Sequence, residues 1–103
     1  MSKIVVIIPA FNEALSIGYV IEALPNRVHE IIVVDNNSTD LTQDIAKKKG
    51  ATVLFEPKKG YGHACLKGIS YLENDPPDIV VFLDGDYSDF PEDLDVLVAP
   101  LIK

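Results

Sequence analysis

The sequence lacks long apolar runs and has a single cysteine, and each shortage excludes a class of protein. Its longest apolar stretches, such as residues 4–8, are about five residues long, whereas a membrane-spanning helix needs about 20. Pro9 ends the first of these runs too early for a secretory signal. Cys65 has no second cysteine with which to form an internal disulfide, which favours a reducing compartment. We therefore expect a cytoplasmic protein.

Positive charge is also scarce, since 9 basic residues face 16 acidic ones and the net charge is −7. This balance argues against nucleic acid as the main partner, because a phosphate backbone requires a basic face. It also means that a diphosphate ligand would bind poorly unless a metal ion stood between it and the protein. The rest of the composition, 48% hydrophobic and 24% charged over 103 residues, is that of one globular domain or part of one.

Strand-like and helix-like patterns alternate four times along the chain. The apolar, β-branched runs are residues 4–8, 31–34, 51–55 and 79–83. The stripes at helical spacing are Ile17-Val20-Ile21-Leu24, Leu41-Ile45, Cys65-Ile69-Leu72 and Leu94-Leu97-Val98-Leu101. Ser38, Thr39 and Asp40 are good N-cap types for the second helix, and Gly50 supplies its end. This alternation predicts an α/β fold, with a parallel sheet covered by helices on both faces.

Polar residues follow each predicted strand. In an open parallel sheet, ligands bind beyond the carboxyl ends of the strands, so these loops are the candidate site. The loops are residues 9–13 (PAFNE), 35–38 (DNNS), 56–62 (EPKKGYG) and 84–89 (DGDYSD).

Asp84 and Asp86 are the sharpest feature of that edge. Residues i and i+2 of an extended segment point the same way, so two carboxylates would share one small space. A divalent cation would relieve their repulsion, and hard oxygen ligands suit Mg²⁺ or Mn²⁺. Gly85 between them permits close approach. An acidic turn ahead of a helix is the structural alternative, but the position at the end of an apolar strand favours the metal site.

Each of the other loops leaves two interpretations open. Asp35 and Asn36 could bond to the edge of a nucleobase, or could serve as turn and cap residues. Glu13 is either an acid at the start of a helix or a pocket residue. Gly60-Tyr61-Gly62 could bring backbone close to a ligand, with Lys58, Lys59 or Lys67 set against phosphate charge. It could equally be a turn that enters the third helix, with His63 as a surface residue.

In order and spacing, four segments resemble the family 2 glycosyltransferases of the GT-A fold, and most of all the polyprenol-phosphate (dolichol-phosphate) mannosyl- and glucosyltransferases. The segments are residues 7–13 (IIPAFNE), 33–40 (VVDNNSTD), 60–64 (GYGHA) and 82–86 (FLDGD), and residues 87–92 (YSDFPE) are similar to the next stretch of that subgroup. The resemblance implies a Rossmann-like sheet of about four strands in the order 3-2-1-4, with residues 1–103 as the nucleotide-sugar-binding N-terminal part of the domain.

The resemblance also assigns residues to roles. Pro9, Phe11 and Glu13 would line the nucleotide pocket, and Asp35 and Asn36 would contact the base. The family usually has two acids at this pair, so Asn36 departs from the pattern and leaves uracil or guanine open. Asp84, Gly85 and Asp86 would complete the donor site. Of these three, Asp84 would contact ribose or metal, and Asp86 would bind the Mg²⁺ or Mn²⁺ that bridges the diphosphate.

The implied reaction is inverting transfer of a sugar from a nucleoside-diphosphate sugar, either GDP-mannose or a UDP-sugar. The implied acceptor is a polyprenyl phosphate, which would place the longer protein at the cytoplasmic membrane face. The resemblance assigns the general base and the acceptor half to positions beyond Lys103, so no catalytic residue is predicted within the chain. A sheet with an exposed edge also predicts self-association.

Three other classes of protein make different demands on these loops. A phosphoacceptor signalling domain would need an acidic pair after the first strand, where this chain has Pro9, Ala10 and Phe11. A sugar nucleotidyltransferase would need a glycine-rich basic loop there. A non-catalytic nucleotide-binding module of the same fold remains the alternative.

Overall fold

The computed structural model describes residues 3–83, and within them four parallel strands form one sheet. The strands are β1 (Ile4–Ala10), β2 (Glu30–Asp35), β3 (Thr52–Phe55) and β4 (Ile79–Phe82). Their order is β3-β2-β1-β4, which confirms the predicted topology. The predicted fourth helix lies outside the described residues.

Helices cover both faces of this sheet, as predicted. They are α1 (Ile17–Glu22), α2 (Thr42–Lys48) and α3 (Tyr61–Tyr71). The even-numbered residues of β1 pack with α1 and α2 in one apolar cluster. The odd-numbered residues Val5 and Ile7 pack with α3 in a second cluster on the opposite face. A strand buried on both sides needs apolar residues at every position, which explains the unbroken run in β1.

The predicted buried stripe of α1 is confirmed. Ile17, Val20, Ile21 and Leu24 are all less than 9% exposed. The helix itself ends at Glu22, ahead of Leu24 and Pro25.

The stripe predicted for α2 is wrong at Leu41. Leu41 precedes the helix and is 62% exposed, Ile45 is half-buried, and the buried positions are Thr42 and Ala46. Thr42 can occupy an apolar face because its hydroxyl oxygen accepts the Glu13 amide, so no polar group is left unpaired. Gly50 follows the helix with φ +92°, as its predicted role requires.

The stripe predicted for α3 is also shifted. Ala64, Gly68 and Leu72 are buried, Cys65 is half-buried and Ile69 is 44% exposed. The small residues of α3 face β1 and allow the helix to lie close to the sheet. A pattern of large apolar residues cannot reveal a face made of alanine and glycine.

Candidate functional site

The strand ends meet at one edge of the sheet. Ala10 of β1 lies opposite Asp35 of β2, and Asp35 lies opposite Phe55 of β3. The loops that follow these three strands are therefore neighbours, as the sequence predicted. On the other side of β1, pairing continues one residue past the end of β4, where the amide of Leu83 donates to the carbonyl of Ile7 at 3.1 Å.

Hydrogen bonds join the loop after β1 to the loop after β2. The Asn12 amide donates to Ser38 Oγ at 2.8 Å, and Asn12 Oδ1 accepts the Thr39 amide at 2.8 Å. Asn12 has φ +53° and Asn37 has φ +71°. Apart from glycine, asparagine is among the residue types that best tolerate this left-handed conformation. The two turns therefore hold each other in shape.

The Asp40 carboxylate reinforces the same junction. It accepts the Ala14 amide at 3.1 Å and the Thr42 amide at 3.0 Å, together with the Thr42 hydroxyl. Desolvation acts to raise the pKa of Asp40, but the hydrogen bonds from Thr42 and Ala14 outweigh it and lower the pKa below the ordinary value of 3.8. The charged form of Asp40 therefore stabilises the fold.

Glu13 lies just ahead of α1 and is half-buried. Its carbonyl accepts the amides of Ser16 and Ile17, and its Oε2 accepts the Ser16 hydroxyl at 3.2 Å. Glu13 therefore lies ahead of α1, whose first turn holds no acidic residue, and its place in the donor pocket stays a prediction.

Asp35 is fully buried at the end of β2. Its Oδ2 accepts the Ser38 amide at 3.2 Å and Gln43 Nε2 at 2.7 Å. Its Oδ1 has no hydrogen-bond partner among residues 3–83. A buried oxygen without a partner is costly in a folded protein and calls for an explanation.

Asn36 is buried too, but its side chain is fully engaged. Nδ2 donates to the carbonyls of Glu56 and Lys58 at 2.9 and 2.7 Å. Oδ1 accepts the Gly60 amide at 2.9 Å. The side chain thus binds the loop after β3, through contacts that span 20 to 24 positions and that no local sequence pattern predicts. Gly60 has φ +126° where the chain enters α3, a conformation that favours glycine.

A small pocket of about 170 Å³ opens at this edge, lined by Pro9, Ala10, Phe11, Asn36 and Tyr61. Two of the predicted pocket residues, Pro9 and Phe11, line it together with Asn36. Phe11 is 45% exposed, and Lys59 Nζ lies 5.5 Å from the centre of its ring, within range of a cation–π contact.

A larger groove of about 360 Å³ runs between α1 and α2. The Lys49–Glu22 ion pair, at 2.5 Å, forms part of its lining. We assign the site to the smaller pocket, because a binding site combines apolar walls with convergent polar groups and the polar loops converge there.

Asp84, Gly85 and Asp86, the predicted metal and diphosphate residues, lie outside the described residues. Within residues 3–83 there is no cluster of three histidine, cysteine or acidic side chains that could hold a metal ion. The same span contains no helix long and apolar enough to cross a membrane.

The pocket and its fold can be compared with known proteins. The sequence model of glycosyl transferase family 2 matches residues 5–103. The chain belongs to this family.

An uncharacterized glycosyltransferase of Mycobacterium tuberculosis is 42% identical to the chain over 100 residues, which are 97% of this chain and 44% of the relative. An uncharacterized protein of Methanocaldococcus jannaschii is 35% identical over 102 residues, covering 97% of this chain and 42% of the relative. The chain thus spans less than half the length of these curated relatives.

Among solved structures, glucosyl-3-phosphoglycerate synthase from M. tuberculosis in complex with Mn²⁺, UDP-glucose and phosphoglyceric acid superposes with a TM-score of 0.84. It is 32% identical, and the match covers 99% of this chain and 40% of that one. The likeness confirms the predicted GT-A fold.

Proposed function

We propose that this chain forms the donor-binding part of a glycosyltransferase that takes a UDP-sugar together with a divalent cation. The observation that carries the proposal is the buried Asp35, with one oxygen still to be paired, at the sheet edge where Phe11 and Tyr61 line a pocket. Membership of glycosyl transferase family 2 supports the donor class. The structural relative's complex with UDP-glucose supports the uridine nucleotide.

The state of the Asp35 carboxylate favours uracil over guanine. Oδ2 already accepts two N–H groups, so only Oδ1 is available to a ligand. Uracil offers one N–H between two carbonyls, whereas guanine offers adjacent N–H groups that would require both carboxylate oxygens. Oδ1 is covered by protein atoms here, so the base reaches it only with a local shift of the surrounding loops. Since the Asn36 amide hydrogens are both engaged, Asn36 does not supply a donor to the base.

The cation would be Mg²⁺ or Mn²⁺, held by Asp84 and Asp86. Two carboxylates in alternate positions after a strand are a suitable set of hard oxygen ligands, and the structural relative contains Mn²⁺. The bound cation would offset the negative charge that grows on the departing diphosphate. It would also make diphosphate binding favourable for a chain with a net charge of −7.

The acceptor we propose is a phosphorylated molecule. The sequence resemblance implied a polyprenyl phosphate at a membrane face, whereas the structural relative is a complex with phosphoglyceric acid. That relative gives no support to the lipid, so the two acceptors should be compared directly. Sugar transfer is measured from labelled UDP-glucose to 3-phosphoglycerate or to a polyprenyl phosphate.

The donor proposal is tested by calorimetric titration of the chain with UDP-glucose and GDP-mannose, each with and without Mn²⁺. We expect UDP-glucose to bind in the presence of Mn²⁺ and GDP-mannose to bind at least about tenfold more weakly. Tighter binding of GDP-mannose would refute the uridine assignment. A longer protein that contains this chain, and that binds UDP-glucose without transferring glucose to either acceptor, would favour the nucleotide-binding module instead.

A further inference from the structure

We propose that Asn36 is a positioning residue of the donor pocket, which fixes the loop of residues 56–60 so that Lys59 stands at the pocket rim and meets the phosphate groups of the ligand. The inference rests on the proposed function and adds two residues to it. The sequence left Lys58, Lys59 and Lys67 as alternative partners of a phosphate, and the structure favours Lys59, whose Nζ lies over the Phe11 ring.

The first step is that Asn36 determines the path of the 56–60 loop. Its carboxamide makes three hydrogen bonds of 2.7–2.9 Å, to the carbonyls of Glu56 and Lys58 and from the amide of Gly60. Both ends of the loop and its middle are therefore held by one buried side chain. The backbone of Asn36 is itself fixed, because its amide donates to the Ala10 carbonyl at 2.8 Å.

The second step is that the fixed loop places a cation at the pocket. Lys59 lies between Lys58 and Gly60, both of which bond to Asn36, and its Nζ lies 5.5 Å from the centre of the Phe11 ring. Phe11 lines the pocket, as does Asn36. Without these bonds the loop would have to be ordered each time a ligand bound. Fixing Lys59 in place would then reduce the free energy of binding.

The third step is that the charge of Lys59 matters to this ligand in particular. The chain carries 16 acidic and 9 basic residues, so a diphosphate approaches an unfavourable overall field. An ammonium group held at the rim acts on the phosphates and not on the uracil ring. Its loss should therefore weaken UDP binding and leave uridine binding nearly unchanged.

The test compares UDP with uridine in wild type, Asn36→Ala, Lys59→Ala and the double variant. Alanine is used at position 36 because aspartate would add a charge at the pocket and confuse the result. We expect the ratio of UDP to uridine affinity to fall about three- to fivefold in each single variant, as for loss of an exposed ion pair. The double variant should fall no further than Lys59→Ala alone, since both changes remove the same contribution. Asn26→Ala, a change at an exposed asparagine ahead of β2, is the control and should leave the ratio unaltered.

Amide hydrogen exchange provides a second readout that needs no ligand and no variant. The Gly60 amide lies in an exposed loop, yet it should exchange slowly in wild type because it donates to Asn36. Exchange at the rate of an unprotected loop would overturn the inference even if Asn36→Ala failed to fold.

The two proposals fail in different ways. If wild type binds neither UDP nor uridine in the presence of Mn²⁺, the proposed function fails and this inference with it. If wild type binds both, but Asn36→Ala leaves the UDP-to-uridine ratio unchanged, the positioning role of Asn36 is wrong and the proposed function stands. An equal loss of UDP and uridine affinity in Lys59→Ala would overturn the role of Lys59.

Discussion

Gly68 of α3 lies so close to Ile7 of β1 that a Cβ on the glycine would come within 2.8 Å of Ile7 Cγ2. Ile7 is fully buried at the centre of the sheet and has no room to withdraw. The glycine is therefore what allows α3 to pack directly against the strand. α3 begins at Tyr61, so this contact also sets the position of one wall of the pocket.

Replacing Gly68 with alanine should accordingly destabilise the chain by about 1–3 kcal/mol, the usual cost of overpacking a core. Gly62→Ala is the matched control, since Gly62 lies in the same helix and a Cβ there would meet nothing within 4 Å. That variant should be neutral or slightly more stable, because alanine favours the helix. Urea unfolding measures both. Equal stability of the two variants would contradict the close packing of α3.

Asp35→Asn should change the preferred base. The amide oxygen of asparagine can accept the Ser38 and Gln43 N–H groups, which leaves its NH₂ group where Oδ1 stood. A donor at that position opposes uracil N3–H and suits the N3 acceptor of cytosine. We expect UDP affinity to fall about tenfold or more, and CDP to gain relative to UDP. Titrations with UDP and CDP measure this change in base preference. Asp44→Asn, the same change on the exposed side of α2, is the control. An unchanged UDP-to-CDP ratio in Asp35→Asn would show that Asp35 does not contact the base.

Asp40→Ala should destabilise the chain at neutral pH by roughly 0.5–1 kcal/mol, the scale of a lost helix cap at an exposed site. The pKa of Asp40 is lower in the folded chain than its ordinary value of 3.8. Its contribution is therefore fully present above pH 3.8 and disappears as the pH falls through the folded-state pKa. Unfolding followed at pH 7 and at decreasing pH should show the variant and wild type converging in acid. A difference that persisted or grew in acid would contradict this role.

Much of the fold could be predicted because its main signals are local. The β-branched runs and the intervening helical stripe of α1 are readable from neighbouring residues, and the order of the strands followed from the family resemblance. The buried faces of α2 and α3 were misassigned because they consist of Thr42, Ala46, Ala64 and Gly68. Small and polar residues carry no hydrophobic signal, although close packing selects them.

The candidate site was predictable as a set of loops but not as a set of contacts. The carboxyl ends of β1 and β2 place Phe11, Asp35 and Asn36 at one edge of the sheet, whatever contacts their side chains make. The bonds from Asn36 to the 56–60 loop join residues 20 to 24 positions apart, and the folded geometry alone brings them together. The same holds for Lys59 over Phe11. The roles of Asp84 and Asp86 as metal ligands stay predictions.

The most direct test of the central claim is calorimetric titration of UDP into wild type and into Asp86→Ala, each with and without Mn²⁺. We expect wild type to bind UDP in the presence of Mn²⁺, and removal of Mn²⁺ to weaken this binding at least about tenfold. Asp86→Ala should weaken it by a similar factor. UDP binding that is unchanged both by removal of Mn²⁺ and by Asp86→Ala, or no UDP binding at all, would contradict the proposed metal-dependent donor site.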